Sequence, residues 1–153
     1  MLSLKCEVKD MNTARGMRNN NPLNIVQSSS FKWNGEVMAE EKIFCVFETM
    51  GQGCRAALKL LRTYYEKHKC TTISRIIRRW APETENNVQA YIRNVCRMTG
   101  IGATTPLPPM KEETKVVWCD IVLAMATVEC GLNAKDREEF APYIDIGWKL
   151  LNP

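Results

Sequence analysis

The sequence predicts a mainly α-helical domain with a small β-hairpin near residues 31–47. Apolar residues recur at helical spacing over most of the chain after residue 50. Before that point, one short segment rich in β-branched and aromatic residues follows an Asn34-Gly35 turn sequence. The 153 residues suit one domain. We therefore expect a flexible arm over residues 1–12 and a single domain over residues 13–153.

The predicted hairpin consists of two short strands on either side of Asn34-Gly35. The first strand candidate covers residues 31–33, and the second covers residues 43–47. No helical or strand period runs through residues 13–30, which are rich in Asn, Ser and Arg. Apolar residues in that stretch indicate an ordered loop that is anchored on the core.

Five helices follow from apolar spacing and from residues that begin or end helices. Thr71 or Thr72 is the expected cap of the second helix, and Pro82 its expected end. Gly100 and Gly131 are expected to end the third and fourth helices. The predicted helices span about residues 51–69, 73–80, 86–99, 110–130 and 134–151, the last with a possible kink at Pro142.

The overall composition is typical of a water-soluble globular protein, with 45% hydrophobic and 25% charged residues. No apolar run approaches the roughly 20 residues of a membrane span. Residues 1–12 lack the apolar core and cleavage site of a secretory signal. We expect the protein to stay in the cytoplasm where it is made, unless it is carried in a virion or released by lysis. The net charge of +4 is mild and fits an anionic polymer.

The cysteines and the lone histidine argue against metal and thiol chemistry. The seven cysteines show no CxxC spacing, and His68 is the only histidine, so we predict no zinc site and no cofactor. Cys54, Cys96 and Cys119 fall in apolar helical patterns and are expected to be buried, reduced thiols. His68 lies between two lysines, which favours a solvated surface residue over a cysteine-peptidase partner. Carboxylate chemistry on sugars remains, because it needs only Glu or Asp.

Glu129 is the carboxylate best placed for such chemistry. It ends an apolar helix, with Met125, Val122 and Trp118 at positions i−4, i−7 and i−11. Apolar neighbours and the negative end of the helix dipole both favour the protonated form of a carboxyl group. A protonated carboxyl can donate to the leaving oxygen of a glycosidic bond. The structural alternative is a Glu at the edge of the core that reaches solvent or a nearby Arg.

Two stretches resemble a family of phage and prophage proteins, often described as virion structural proteins. Residues 15–25 read Arg-Gly-Met-Arg-Asn-Asn-Asn-Pro-Leu-Asn-Ile, and Trp33-Asn34-Gly35 follows. Residues 80–86 read Trp-Ala-Pro-Glu-Thr-Glu-Asn, and Tyr91-Ile92 follows. The resemblance covers about residues 13–131.

A second resemblance is to glucosaminidases and lytic transglycosylases of the lysozyme superfamily. These enzymes place their acid in a helix ending Glu-Ser-Gly, followed by an Asn-x-x-x-Ile loop and a Trp-x-Gly region. Here the loop and Trp33-Asn34-Gly35 come first, and the helix ending Glu129-Cys130-Gly131 comes last. This order implies a circularly permuted lysozyme-like domain. Cys130 departs from the usual Ser or Asn beside the acid.

The resemblance implies cleavage of peptidoglycan glycan strands of the muramidase, glucosaminidase or lytic transglycosylase type. Glu129 would be the general acid/base, with Glu85 as a second catalytic carboxylate. Asn21, Asn24, Tyr91 and Arg55 would bind substrate. Each has a structural alternative: loop-stabilising amides for the two asparagines, a helix cap for Glu85, a core aromatic for Tyr91, and a cap of its own helix for Arg55.

Two other functions compete with the enzyme. A virion structural or cell-wall-binding protein would keep the fold without turnover. A nucleic-acid binder would use the basic cluster of Arg75, Arg78 and Arg79, which lies beside Trp80. The alternatives for this cluster are binding of an anionic glycan or a solvated face. We expect peptidoglycan or a related glycan as the partner, rather than nucleic acid, and no membrane.

Overall fold

The computed structural model describes residues 14–81 and 87–153, and within them the protein is mainly helical with a small antiparallel hairpin, as predicted. The predicted arm over residues 1–12 and Glu85 lie outside the described residues. In chain order, the elements are α1 (Arg15–Arg18), β1 (Glu36–Val37), β2 (Val46–Phe47), α2 (Met50–His68), α3 (Ile73–Trp80), α4 (Val88–Thr99), α5 (Lys115–Cys130) and α6 (Ala134–Leu151).

The hairpin forms with a different first strand from the predicted one. Glu36 pairs with Phe47 and Val37 with Val46, so the strand at residues 31–33 was wrongly predicted. The Asn34-Gly35 turn precedes β1 instead of separating the two strands. Gly35 has φ +80, and the Trp33 carbonyl accepts the Glu36 amide at 3.1 Å. The second strand is shorter than expected, because Phe44 makes only an isolated bridge to Val26.

The predicted capping residues act at most helix ends. The Thr72 hydroxyl accepts the Arg75 amide at 3.2 Å and caps α3. Gly100 and Gly131 end α4 and α5 in the left-handed region, at φ 72 and φ 65. The fourth helix begins later than predicted, because residues 112–114 form a 3-10 turn before α5. Pro142 lies within α6, which continues through it.

The helices enclose one core in which α2 packs along α6 and α5 contacts α2, α4 and α6. Trp118 and Met125 of α5 are fully buried, as is Leu61 of α2. Gly147 allows α6 to approach α2 closely, since a Cβ there would lie 2.7 Å from the Arg55 backbone nitrogen. The core thereby fixes the carboxyl end of α5, which carries Glu129.

The six cysteines of the described part are free thiols. Cys54 is fully buried, and burial raises the pKa of the half-buried Cys119 thiol to about 11. Of the three thiols that the sequence predicted to be buried, Cys54 is buried, whereas Cys96 and Cys119 are partly exposed and pack against the core. Across residues 14–81 and 87–153, no helix has the length and apolar character needed to cross a bilayer.

Candidate functional site

The Asn-rich loop is held between α1, β2 and the end of α5. Asn20 and Asn24 have φ 53 and φ 54, a left-handed conformation that asparagine adopts more readily than most residues. The Asn19 carbonyl accepts the Phe47 amide at 2.9 Å, and the Ile25 carbonyl accepts the Cys45 amide at 2.9 Å. The loop therefore continues the hairpin, and this fixes the direction of the Asn24 side chain.

Asn21 is the internal brace of this loop. Its side chain is fully buried, and its Nδ2 donates to the Ile25 and Cys45 carbonyls at 3.0 and 2.9 Å. Its Oδ1 accepts the Ile25 amide at 2.9 Å. Asn21 is also not among the residues that line the cleft described below. The structure thus gives Asn21 the loop-stabilising place that the sequence left as its alternative, and substrate would meet Asn24 instead.

The Glu129 carboxylate receives three hydrogen bonds from uncharged side chains. Asn24 Nδ2 donates to Oε1 at 3.0 Å. Trp80 Nε1 and the Tyr91 hydroxyl donate to Oε2 at 3.1 and 3.0 Å. The donors come from the Asn-rich loop, α3 and α4, so segments distant in sequence converge on the last turn of α5. This convergence fixes the carboxylate in one orientation.

Tyr91 is a neutral donor in this arrangement. Burial raises the pKa of its hydroxyl above the ordinary value, and the nearby Glu129 charge raises it further. The phenol therefore keeps its proton over the range in which proteins are normally assayed. Tyr91 is 8% exposed and belongs to the core, as its structural alternative predicts, and its role in substrate binding stays a prediction.

Glu129 lies in an open cleft of about 750 Å³. Asn24 and Tyr91 line the same cleft, as do Ser28 and Asn87. Glu129 is the one acidic residue among the described lining residues. Six aromatic side chains also line it: Phe31, Trp33, Phe44, Tyr64, Trp80 and Tyr91. An aromatic cleft with few converging polar groups is typical of a small-molecule or oligomer site.

Cys130 ties the Asn-rich loop to the end of α5. Its thiol donates to the Pro22 carbonyl at 3.5 Å. Burial raises the pKa of this thiol to about 12, so it stays protonated and remains a donor. Gly16 packs against it, since a Cβ at Gly16 would lie 2.7 Å from Cys130 Sγ and 3.0 Å from Asn24 Oδ1. Both residues thus position Asn24 next to Glu129.

Glu41 fastens the outer wall of the cleft to α1. Its carboxylate accepts Arg15 Nε and Nη2 at 2.7 and 2.8 Å, and also the Ile43 and Phe44 amides at 2.8 and 3.1 Å. The Arg15 guanidinium also lies 4.6 Å from the centre of the Phe44 ring. These contacts hold Phe44 on the wall of the cleft.

The other predicted site residues lie elsewhere. Arg55, on α2, contacts Gly147 of α6 through its backbone and does not line the cleft. Glu85 is outside the described residues. His68 is exposed at the end of α2. Within residues 14–81 and 87–153, no three His, Cys, Asp or Glu side chains gather as a metal site would require.

Trp80 donates to Glu129 and lines the cleft, and the sequence analysis did not name it as a site residue. In the sequence, Trp80 stands out only as the first residue of the motif over residues 80–86 and as a neighbour of the arginine cluster. A tryptophan N–H that is removed from solvent needs an acceptor, and the nearest apolar helix ends in a carboxylate. That consideration could have paired Trp80 with Glu129. The aromatic residues Phe31, Phe44 and Tyr64 had no comparable indication.

Comparison with known proteins gives one informative relative. The chain matches no established family profile. It is 38% identical over 138 residues to Protein P5 of Pseudoalteromonas phage PM2, and the match covers 88% of this chain and 82% of the phage protein. The chain belongs to the Protein P5 family. Because the match spans 88% of the 153 residues, it includes residues 24–129 wherever it begins. The segments that form the cleft therefore lie within the region shared with Protein P5.

Proposed function

We propose that the protein cleaves the glycan strands of peptidoglycan, with Glu129 as the general acid and base. The observation that carries the proposal is the Glu129 carboxylate in an aromatic cleft, oriented by Asn24, Trp80 and Tyr91. Glycosidic bonds break when a carboxyl group protonates the leaving oxygen. The aromatic lining offers flat apolar surfaces against which the apolar faces of sugar rings can stack.

A mechanism with one carboxylate fits the described lining of the cleft. In its protonated form, Glu129 donates its proton to the glycosidic oxygen as the bond to the anomeric carbon breaks. The resulting carboxylate then removes a proton from the hydroxyl that attacks that carbon, which regenerates the acid. The attacking hydroxyl belongs either to the sugar itself, giving an anhydro product, or to water.

The lysozyme-like part of the proposal is supported by how the segments meet in space. The apolar helix ending Glu129-Cys130-Gly131 and the Asn-rich loop are joined by the Asn24–Glu129 and Cys130–Pro22 hydrogen bonds. Trp33 lines the same cleft. These are the three parts whose order in the chain is permuted relative to the lysozyme superfamily. Cys130 donates a hydrogen bond from the position where that superfamily has Ser or Asn.

The relationship to a phage protein also favours a cell-wall substrate, because phages must pass the bacterial wall on entry or on release. We propose that the protein acts from the virion or during lysis.

Replacing Glu129 by Gln tests the proposal directly. We expect Glu129→Gln to lower the rate of clearing of purified peptidoglycan by about 100-fold or more, which is the usual contribution of a general acid. Thermal unfolding should change little, because the amide keeps the shape of the side chain. The matched control is Glu138→Gln, at an exposed position of α6, which should retain full activity.

Two further measurements separate the enzyme from a binding protein. Mass spectrometry of the soluble products should show anhydro sugars or new reducing ends with the wild-type protein and neither with Glu129→Gln. Sedimentation with peptidoglycan should be the same for both proteins. Equal product yields from the two proteins would contradict the role of Glu129, and binding by wild type without any product would support a structural role instead.

A further inference from the structure

We infer that the cleft has an anionic subsite at Arg79, which binds a carboxylate group of the substrate glycan. This inference rests on the proposed function and specifies its substrate. Glu129 lies in the cleft among neutral donors, whereas Arg79 is exposed on α3 beside the cleft-lining residues Tyr64 and Trp80. The subsite therefore distinguishes a glycan that carries acidic groups from an uncharged one.

The Tyr64 ring places the Arg79 guanidinium next to the cleft. The Arg79 Cζ atom lies 5.2 Å from the centre of the Tyr64 ring, within the range of a cation–π contact. Tyr64 also lines the cleft, and Arg79 contacts Tyr64 without lining the cleft itself, so the guanidinium lies beside the cleft wall. Burial raises the pKa of Tyr64, although the nearby Arg79 charge lowers it, and the net shift is upward. The Tyr64 side chain that contacts Arg79 is therefore a neutral phenol.

His68 holds the guanidinium from a second side. Arg79 Nη2 and His68 Nε2 are 3.3 Å apart. Because a guanidinium can only donate, the His68 Nε2 atom is the acceptor in this hydrogen bond. The His68 ring packs edge-on against Tyr64 with centroids 6.2 Å apart. One ring contact and one hydrogen bond thus orient Arg79 and leave most of its N–H groups available.

The charges around Arg79 favour an anion. Among the residues that the structure describes, no carboxylate forms an ion pair with Arg79. The other charged residues at the end of α2 and along α3 are Glu66, Lys67, Lys69, Arg75 and Arg78, so four of these five are basic. Arg79 is fixed by an aromatic ring, and no carboxylate of residues 14–81 and 87–153 pairs with it, so its guanidinium can bind a carboxylate through two parallel hydrogen bonds.

The carboxylate can come from two parts of a peptidoglycan strand, namely an acidic substituent of the sugar or the ends of its peptide stems. The chemistry at Arg79 is the same for both. Phosphate groups of nucleic acid are a different class of ligand. They would engage the whole basic face, because affinity for them depends on the number of neutralised phosphates and not on one arginine beside the cleft.

Binding measurements on the Glu129→Gln protein test the subsite without turnover. The probes are an uncharged N-acetylglucosamine oligomer, peptidoglycan glycan oligomers stripped of peptides, and the same oligomers with peptides. We expect Arg79→Gln to weaken binding of at least one carboxylate-bearing probe about tenfold, as for the loss of a charge-assisted pair. Binding of the uncharged oligomer should be unchanged. Arg78→Gln, an exposed arginine whose Nε bonds Ser74 at 3.3 Å, is the matched control and should bind like the parent.

The outcomes identify which idea fails. A loss with stripped glycan supports the sugar substituent as the ligand, and a loss only with peptide-bearing glycan supports the stem carboxylate. The subsite would be overturned if Arg79→Gln weakened binding of the uncharged oligomer as much as binding of the carboxylate-bearing probes. It would also be overturned if Arg78→Gln and Arg79→Gln weakened binding of these probes and of duplex DNA equally. If the Glu129→Gln protein still clears peptidoglycan while Arg79→Gln shows the selective loss, the catalytic proposal fails and the subsite stands.

Discussion

At the scale of single residues, the site depends on how donors are shared between the two oxygens of one carboxylate. Trp80 and Tyr91 both donate to Oε2 of Glu129, whereas Asn24 alone donates to Oε1. Oε2 is thus occupied by two aromatic side chains with few rotatable bonds. Oε1 keeps more of its hydrogen-bonding capacity, and in the proposed mechanism it would carry the proton that is transferred.

Removing one donor from Oε2 should impair turnover more than binding. We expect Tyr91→Phe and Trp80→Phe each to lower kcat about tenfold while KM changes little, since each removes one hydrogen bond to the charged group. The double variant should lose less than the product of the two single losses, because both donors act on one oxygen. Steady-state kinetics on soluble glycan oligomers measures both effects. A rise in KM with unchanged kcat would instead indicate that these residues bind substrate and do not position Glu129.

The Asn-rich motif shows what residue identity can and cannot reveal. The sequence indicated two asparagines as candidates, and the structure places only Asn24 at the cleft. Asn21 is fully buried and bonds only backbone, while Asn24 faces the carboxylate. The difference comes from the left-handed backbone at Asn24 and from the packing of Gly16 against Cys130. Neither feature can be read from the order of the residues.

At the scale of elements, the wall of the cleft depends on the ion pair between Arg15 of α1 and Glu41 of the loop before β2. The hydrogen bonds from Arg15, together with the Ile43 and Phe44 amides, hold the pKa of Glu41 well below its ordinary value. A carboxyl group whose pKa is lowered by folding stabilises the native state above its unfolded pKa, near 4.3 for Glu. That stabilisation is lost as the pH falls below this value toward the folded pKa.

Glu41→Gln should therefore lower the melting temperature at pH 7. The gap from wild type should narrow as the pH falls from about 5 to about 3, because the wild-type carboxyl then takes up a proton. Thermal unfolding followed by circular dichroism across this range measures the gap. The exposed neighbour Glu40, replaced by Gln, serves as control and should match wild type throughout. A gap that stays constant with pH would show that packing, and not the charge of Glu41, stabilises this wall.

Helix ends followed the sequence, and the hairpin formed as predicted but with a different first strand. Thr72, Gly100 and Gly131 act where their side chains or their conformational freedom predict, because capping is a local interaction within a few residues. The position of the first strand was wrongly predicted, because it depends on which residues pair with the strand beside the Asn-rich loop. Phe47 pairs with Glu36 and also bonds the Asn19 carbonyl.

At the scale of the whole molecule, the position of α5 depends on the close approach of α2 and α6. An alanine at Gly147 would place its Cβ 2.7 Å from the Cys54 Cβ and from backbone of α2. We expect Gly147→Ala to destabilise the fold by on the order of 1–3 kcal/mol, the usual cost of overpacking. Denaturant unfolding measures this as a lower midpoint with an unchanged slope.

Gly102→Ala is the control for this substitution. A Cβ at Gly102 would meet only the Thr105 side chain, which can move aside, so the midpoint should stay near that of wild type. A Gly147→Ala protein as stable as wild type would mean that the two helices can separate without cost.

The sequence by itself determined the helical class and most helix boundaries, and it named Glu129, Asn24 and Tyr91 as candidates that the structure brings together. These follow from residue spacing, from local capping and from motifs, which act over short distances along the chain. Only the tertiary structure decided that Trp80 donates to the acid, that Asn21 is a brace, that Arg55 lies away from the cleft, and that Arg79 stacks on Tyr64. Those contacts join segments separated by many residues, and the packing of helices sets them.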